Sequence, residues 1–383
     1  MANARSDTRN ILRRAWLPGL GHWALGHRGR GIRLLLFTVT ILAVLLWRWD
    51  LFVTGFLAPF WDRRLASLSL VALLASAVAL SRWDVKRLLS EEGEAQIHRS
   101  PMRVALRRFK ENRLAVWAVY IIVALYLVAA LAPLLAPFDP AAIPDVQSNR
   151  YLAPSWTHPC GTDEFGRDLF SRALYGARVS LSIGLLAMII AKTIGTTYGA
   201  TAAYFGGAVD NVLMRIVDIW IAFPTFYLML MLVGIFEANI TVLVLILGLT
   251  SWPGTARFIR GEILSLKEQE FTEAARAIGL PAHLIIFRHL IPSALSPVLV
   301  TAALSVAGMI GAEAGLSFLG LGIRPPTPSW GNMVAAGQDN LLHAWWIAFF
   351  PGSLLAITLI SFSLLADGLR DAFDPKALMQ KFV

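Results

Sequence analysis

The chain has 383 residues, 56% of them hydrophobic and 15% charged, with a mean hydropathy of +0.61 and a formal net charge of +9. Soluble proteins carry about 25% charged residues, so this composition excludes an ordinary water-soluble enzyme and disfavours a nucleic-acid-binding domain. The basic excess suits the cytoplasmic loops of a membrane protein, and the single cysteine, Cys160, excludes an internal disulfide.

In chain order, a basic leader runs to about Arg33. It is too long for a cleavable signal peptide, and no small-residue cleavage site follows the first apolar run. Eight apolar spans are expected, at about 31–47, 65–81, 114–136, 179–205, 211–235, 240–258, 298–319 and 345–365. Each is close to the ~20 residues that cross a bilayer. Helices are the expected spanning element, because every backbone group must be satisfied inside lipid, and the alternation of a membrane barrel is absent. The fold class is therefore all-α, a polytopic membrane protein of about eight helices. Trp47, Trp49, Trp61 and Trp83 flank the first pair, as an interfacial aromatic belt does.

Between the second and third spans, residues 81–113 turn abruptly polar and basic. They read as a linker that ends in an amphipathic helix, so residues 1–100 form a two-helix extension to a six-span core. The basic leader, this linker, the region around Arg257, Arg260, Lys267, Arg276 and Arg288, and the tail with Arg370, Lys376 and Lys381 are separated by even numbers of spans. They share one side, which the positive-inside rule makes the cytoplasm. Both termini are expected there.

The long loop at 137–178 lies on the other side. Its segment GTDEFGRD holds Asp163, Arg167 and Asp168, which either face a partner or pair within a folded loop. Lys192 sits in mid-span, where insertion costs roughly 2.5–3.5 kcal/mol. It faces the extension, snorkels to the interface, or meets a substrate carboxylate. Asp210, Arg215 and Asp218 gather at the start of the fifth span, and Arg215 and Asp218 are spaced i, i+3 to pair on one helix face. Their role is a structural network or a gate.

Residues 265–292 break the pattern of greasy helix. Ser265 and Glu268 have capping-box spacing. Glu268, Glu270 and Glu273 crowd the first turns, where the helix dipole favours acids. Gly279 suits a left-handed cap, and Pro281 suits the start of a second helix that stops before Pro292. The result is a capped cytoplasmic knob, on which Ala274, Ala275 and Gly279 offer a smooth surface to a partner groove. Glu313, near the outer end of the seventh span, either pairs and caps structurally or lines a translocation path. His22, His27, His283 and His289 make no metal set. The chain has no G-x-x-x-x-G-K-[ST] phosphate loop; GHRGRG at 26–31 lacks that pattern, so any energy must come from a partner.

EAARAIGLPAHLIIFRHLIP (273–292) resembles the EAA loop of ABC-transporter membrane subunits. GTDEFGRDLFSRALYGARVSL (161–181), YFGGAVDNVLMRIVDIWIAFPT (204–225), EAGLSFLGLGIRPPTPSWG (313–331) and LADGLRDAFDP (365–375) resemble the C-type permease subunit of dipeptide and oligopeptide importers. LRRFKENRLAVWAVYIIVALYLVAALAPLLAPFDP (106–140) is similar to that subfamily's N-terminal segment.

The resemblance implies a six-helix type I importer core. Residues 101–178 would be the family's N-terminal segment, 179–371 the permease domain with its coupling loop at 262–292, and 372–383 a cytoplasmic tail. It implies that Glu273, Ala274, Ala275, Gly279 and Pro292 carry the coupling motif. It also implies a B-type permease mate, two cytoplasmic ATP-binding subunits that hold ATP and Mg, and an extracytoplasmic substrate-binding protein. This chain itself would hold no cofactor and do no chemistry. Nickel or an oligosaccharide stays open as cargo, and a passive channel or scaffold is the rival of a different class.

Overall fold

The computed structural model describes residues 18, 22, 28–47, 61–91, 101–237 and 239–373. The first arginines of the leader, His27, Trp49 and the tail lysines Lys376 and Lys381 lie outside the described residues. The described residues divide into two units, one within Met1–Ser100 together with Ala130–Pro137, the other Pro101–Ala129 together with Phe138–Val383.

In the first unit, α1 (Arg28–Trp47) and α2 (Trp61–Glu91) contain the first two expected spans. Ala66 and Leu70 of α2 bury against Leu131 and Leu134. His22 is fully buried with its Nε2 3.0 Å from an Asp84 carboxylate oxygen.

The second unit opens with α3 (Pro101–Glu111), whose basic last turn holds Arg108 and Lys110. Then come α4 (Arg113–Leu135, whose residues from Ala130 on belong to the first unit), α5 (Leu169–Phe205), α6 (Gly207–Ala222), α7 (Thr225–Ile235), α8 (Ile240–Lys267), the short α9 (Glu270–Ala277), α10 (Leu295–Phe318), α11 (Trp330–Gln338) and α12 (Trp346–Phe373). Among the described residues, six helices are long and apolar enough to cross a membrane, and α6 with α7 makes a seventh if the pair is one span. The regular elements among the described residues are thus all helices, and the chain is a multi-pass protein.

Two expected spans are longer than their apolar runs. Asp168 starts α5 at Leu169 by accepting the Ser171 N–H at 2.8 Å, so the helix begins before the greasy stretch does. Asn239 caps α8 in the same way through the Val242 N–H, and α8 continues to Lys267.

The fifth span is not one straight helix. α6 and α7 meet at a bend of 78°. Pro224 is the cause: it offers no N–H, and it disfavours helical backbone at the residue before it. Phe223 is accordingly extended, with φ −84° and ψ 127°.

α5 and α8 form the central pair. They approach so closely because Gly195 and Gly199 carry no Cβ. One at Gly199 would collide with the Ala256 carbonyl, and one at Gly195 would stand 2.5 Å from the Thr255 Cβ. Around this seam Ile183, Ala187, Leu243, Leu247 and Ala256 bury completely, and the Tyr198 and Trp252 rings lie 4.7 Å apart. α10 and α12 complete the bundle over a second core that includes Ile310, Trp330 and Phe362.

Candidate functional site: the polar knob between α8 and α10

The chain leaves α8 at Glu268, the C-cap residue, and re-enters a helix at Glu270. The expected capping box is therefore absent. Ser265 lies inside α8, and Gln269, the N-cap of α9, makes no side-chain cap bond. Thr272 takes over the anchoring: its hydroxyl donates to the Leu266 carbonyl at 2.9 Å, which ties the first turn of α9 to the last turn of α8. Glu270 and Glu273 do occupy the first turn, where the helix dipole favours them.

α9 stops as the sequence predicts. Gly279 has φ +78°. The Leu280 N–H returns to the Ala275 carbonyl at 3.1 Å and the Gly279 N–H to the Arg276 carbonyl at 2.9 Å, the bond pair of a Schellman motif. The second helix does not stop before Pro292. It starts after Pro281, widens into a π-helix over Ile285–Leu290 and runs on through Ile291–Ser293 toward α10. Pro292 has no N–H to return to the preceding turn, and its ring crowds that turn. Wider turns, with the Ile291 N–H on the Ile286 carbonyl, carry the chain past it.

The knob has two faces. Ala275 is buried with Ile285, Ile286 and Leu290 against Ile259 and Ile263 of α8 and Ala200 and Ala203 of α5. Ala275 therefore does not share the outer surface expected for it. Glu273, Ala274, Ala277 and Gly279 are exposed, and Ile278 is 76% exposed and Phe287 55%. Neither of these two was singled out from sequence. An isoleucine at a solvent-facing helix end, in a segment otherwise polar, was the available signal. Arg276 folds back over the Tyr204 ring at 5.2 Å and binds the knob to the end of α5, while Lys267, the last residue of α8, donates to the Ala203 carbonyl at 3.2 Å and ties α8 to the same end.

Behind the knob, two ion pairs join α6 to α8. Arg260 grips Asp210 with both Nε and Nη2 at 2.6 Å. Arg257 reaches Asp218 at 2.8 Å, whereas the expected Arg215–Asp218 pair is 4.0 Å apart with both side chains exposed. The partners lie about 40–50 residues away, so no local spacing reveals them. The bidentate geometry of Arg260 makes this a helix tie.

Lys192 donates to Thr255 of α8 at 3.2 Å and Thr301 of α10 at 3.1 Å, inside the second unit. Glu313 is fully buried and accepts from Ser180 at 3.0 Å and Ser317 at 2.7 Å, bridging α5 and α10.

Asp163, Arg167, Asp168 and Arg172 are all buried. Asp163 accepts from Arg167 Nε at 2.7 Å and from the N–H groups of Phe165 and Arg167, with Arg172 Nε at 3.5 Å. Asp168 caps α5 and meets His158 Nδ1 at 2.9 Å. These charges pair with one another and with backbone N–H groups inside a folded loop. Cys160 nearby is partly buried, and burial, aided by the Asp168 carboxylate, pushes its thiol up to about 11.

Residues 195–378 match the family model described as the binding-protein-dependent transport system inner membrane component, and residues 100–154 match that of the N-terminal TM domain of oligopeptide transport permease C. The chain is 39% identical over 277 residues to the dipeptide transport system permease protein DppC of Alkalihalophilus pseudofirmus, covering 72% of this chain and 90% of that relative. It is 41% identical over 281 residues to the oligopeptide transport system permease protein OppC of Haemophilus influenzae, covering 73% and 89%. It is 39% identical over 278 residues to the glutathione transport system permease protein GsiD of Escherichia coli O6:K15:H31, covering 73% and 91%.

Proposed function

Because the chain belongs to the family of binding-protein-dependent transport system inner-membrane components, we propose that it forms half of the translocation path of an ABC importer for peptides. The relatives named for dipeptide, oligopeptide and glutathione transport support peptides as the cargo. The other half of the path is a B-type permease. Two cytoplasmic ATP-binding subunits bind ATP and Mg and drive transport, an extracytoplasmic protein delivers the peptide, and both termini of this chain lie in the cytoplasm of an inner-membrane complex.

The observation that carries the reading is the knob's two-sided build. Its outer face, with Glu273, Ala274, Ala277, Ile278 and Gly279, is free for a groove on an ATP-binding subunit. Its inner face is locked by Ala275, Thr272 and Arg276 to the ends of α5 and α8. A push on the knob therefore moves the helix pair as a unit. Gly195 and Gly199 keep α5 and α8 in register, and Arg260–Asp210 carries α6 along. Rigid-body tilting of such a group is the repertoire of alternating access.

The test is ATP-driven uptake of a labelled peptide by the reconstituted complex, wild type beside Gly279→Trp. Tryptophan at a left-handed, open position changes the docking surface. The expected result is uptake by wild type, with loss of both uptake and bound ATP-binding subunits in the variant. Unchanged uptake by Gly279→Trp would falsify the coupling role of the knob.

A further inference from the structure

α3 ends and α4 begins at Asn112. The Asn112 N–H closes α3 on the Phe109 carbonyl at 3.2 Å, and the Asn112 side-chain oxygen caps α4 by accepting from the Ala115 N–H at 3.1 Å. One side of this junction is fixed to α12. A Cβ at Gly368 would collide with Ala115, Phe109 packs beside the same glycine, and Asn112 Nδ2 lies 3.4 Å from an Asp371 carboxylate oxygen. This is the knob end of the bundle, because Asp371 lines one cleft with Glu262 near the end of α8 and Ser296 at the start of α10.

The other side of the junction is open. On α3, Leu106, Arg107 and Lys110 are exposed, and their i, i+3 and i+4 spacing puts them on one face. Arg107 has Glu111 at 3.7 Å, an exposed pair that contributes little. Among the described residues no acid pairs with Lys110 or with exposed Arg113. From Arg113 the exposed face runs on along α4 through Trp117, Tyr120 and Ala124, at i+4, i+7 and i+11, opposite the buried Ala115, Ala118 and Ile122. Trp117 is 66% exposed, and its ring meets that of Tyr120 edge to face with centroids 6.2 Å apart.

Exposed Trp and Tyr near the end of a spanning helix mark the membrane interface. Arg113 stands one turn before Trp117, a rise of about 6 Å, and the headgroup layer outside the hydrocarbon core is about 5–8 Å deep on each side. The cations therefore sit at headgroup depth and the stripe beyond them at the depth of acyl chains. Cations continuous with an apolar stripe complement an amphiphile that carries an anion on an apolar tail. An acidic protein surface would match the cations and leave the stripe without a partner. We propose that the open face of α3 and the start of α4 is a docking surface for an anionic phospholipid. Lys110 and Arg113 hold its headgroup, and its acyl chains lie against Trp117, Tyr120 and Ala124. Because Phe109, Asn112 and Ala115 hold the same junction to α12, the bound lipid fixes that end of α12 to the membrane surface. Only the spanning helices are needed for this, whatever the cargo.

The test is native mass spectrometry of the full chain, purified from membranes in detergent with the subunits that accompany it and titrated with phosphatidylglycerol or phosphatidylcholine. Both lipids carry a phosphate and two acyl chains, but only the first is a net anion. Wild type should bind phosphatidylglycerol with the lower Kd. Each Lys or Arg near a membrane surface is worth a factor of about five in affinity for anionic lipid. Lys110→Gln and Arg113→Gln should therefore each cut the preference about fivefold, and the double variant should cut it about twenty-five-fold. Lys110→Arg combined with Arg113→Lys should keep it. Arg324→Gln, which removes an exposed cation beyond the far end of α10, should leave it unchanged. If the double variant does not fold, the two single variants carry the test. Equal Kd for the two lipids in wild type, an undiminished preference in the Gln variants, or the same loss with Arg324→Gln overturns the proposal. Gln variants that lose an accompanying subunit while keeping the lipid preference also overturn it, and give the surface to a protein.

Discussion

The loop around Asp163 and the knob around Glu273 are both short polar passages in a greasy chain, yet they use their charges in opposite ways. The loop turns them inward: Asp163 holds Arg167 and Arg172, and Asp168 holds His158 and the start of α5. The knob turns Glu273 outward and is held from beneath by apolar contacts, Thr272 and the Arg276–Tyr204 contact. A buried charge needs a partner at once, whereas a solvated one is available for docking. Polarity in the sequence marks both passages as special, and burial decides which is scaffold and which is surface.

That contrast sets the scale of substitution effects. Asp163→Ala should be the most damaging, because it strands Arg167 and Arg172 in a buried setting. Breaking such a pair costs about 3–5 kcal/mol, and thermal unfolding in detergent should show a markedly lower midpoint or no folded protein. An unaltered midpoint would remove the loop from the scaffold.

The glycines give a matched pair. Gly161 and Gly279 have nearly the same backbone, φ +76° and +78°. A Cβ at Gly161 would stand 2.6 Å from the Leu152 carbonyl and 2.7 Å from Trp346 Nε1, whereas at Gly279 nothing lies within 4 Å. Gly161→Ala should therefore add overpacking of about 1–3 kcal/mol to the left-handed strain. Gly279→Ala should cost the strain alone, about 1–2 kcal/mol. Equal midpoints for the two would break the comparison.

Cys160 reports on the same difference chemically. With its thiol near 11, the reactive thiolate is scarce at neutral pH. Maleimide labelling at pH 7.5 should run about two orders of magnitude slower than at a cysteine placed at exposed Ala277, whose thiol keeps an ordinary value near 8.5. The Cys160 rate should rise about tenfold per pH unit up to about pH 11. Equal rates at pH 7.5 would mean that the loop is open.

Much of the architecture was legible because spanning helices need long apolar runs and because Gly279 and the acids of α9 act locally. The bend at Phe223–Pro224 was legible in principle, since Pro224 stood inside the fifth expected span. Three features were not. The Ser265–Glu268 spacing matched a capping box, but α8 kept going, because its packed face extends to Ile263 and Leu266. Pro292 read as a stop, but π turns absorb it when both neighbours stay helical. The partners of Asp210 and Lys192, and Arg257 for Asp218 and Ser180 for Glu313, come from other helices, and distances along the chain do not encode which helix faces which. Ala275 belongs to the same class: its motif marks the knob, but only the fold shows that it faces inward.

The most direct measurement of the central claim is photocrosslinking in native membranes, with one photoreactive residue at Ile278 on the knob and, separately, one at exposed Phe165 on the Asp163 loop. The account predicts an adduct with an ATP-binding subunit from Ile278 and none from Phe165. An Ile278 position that yields no such adduct, or a Phe165 position that does, would contradict it.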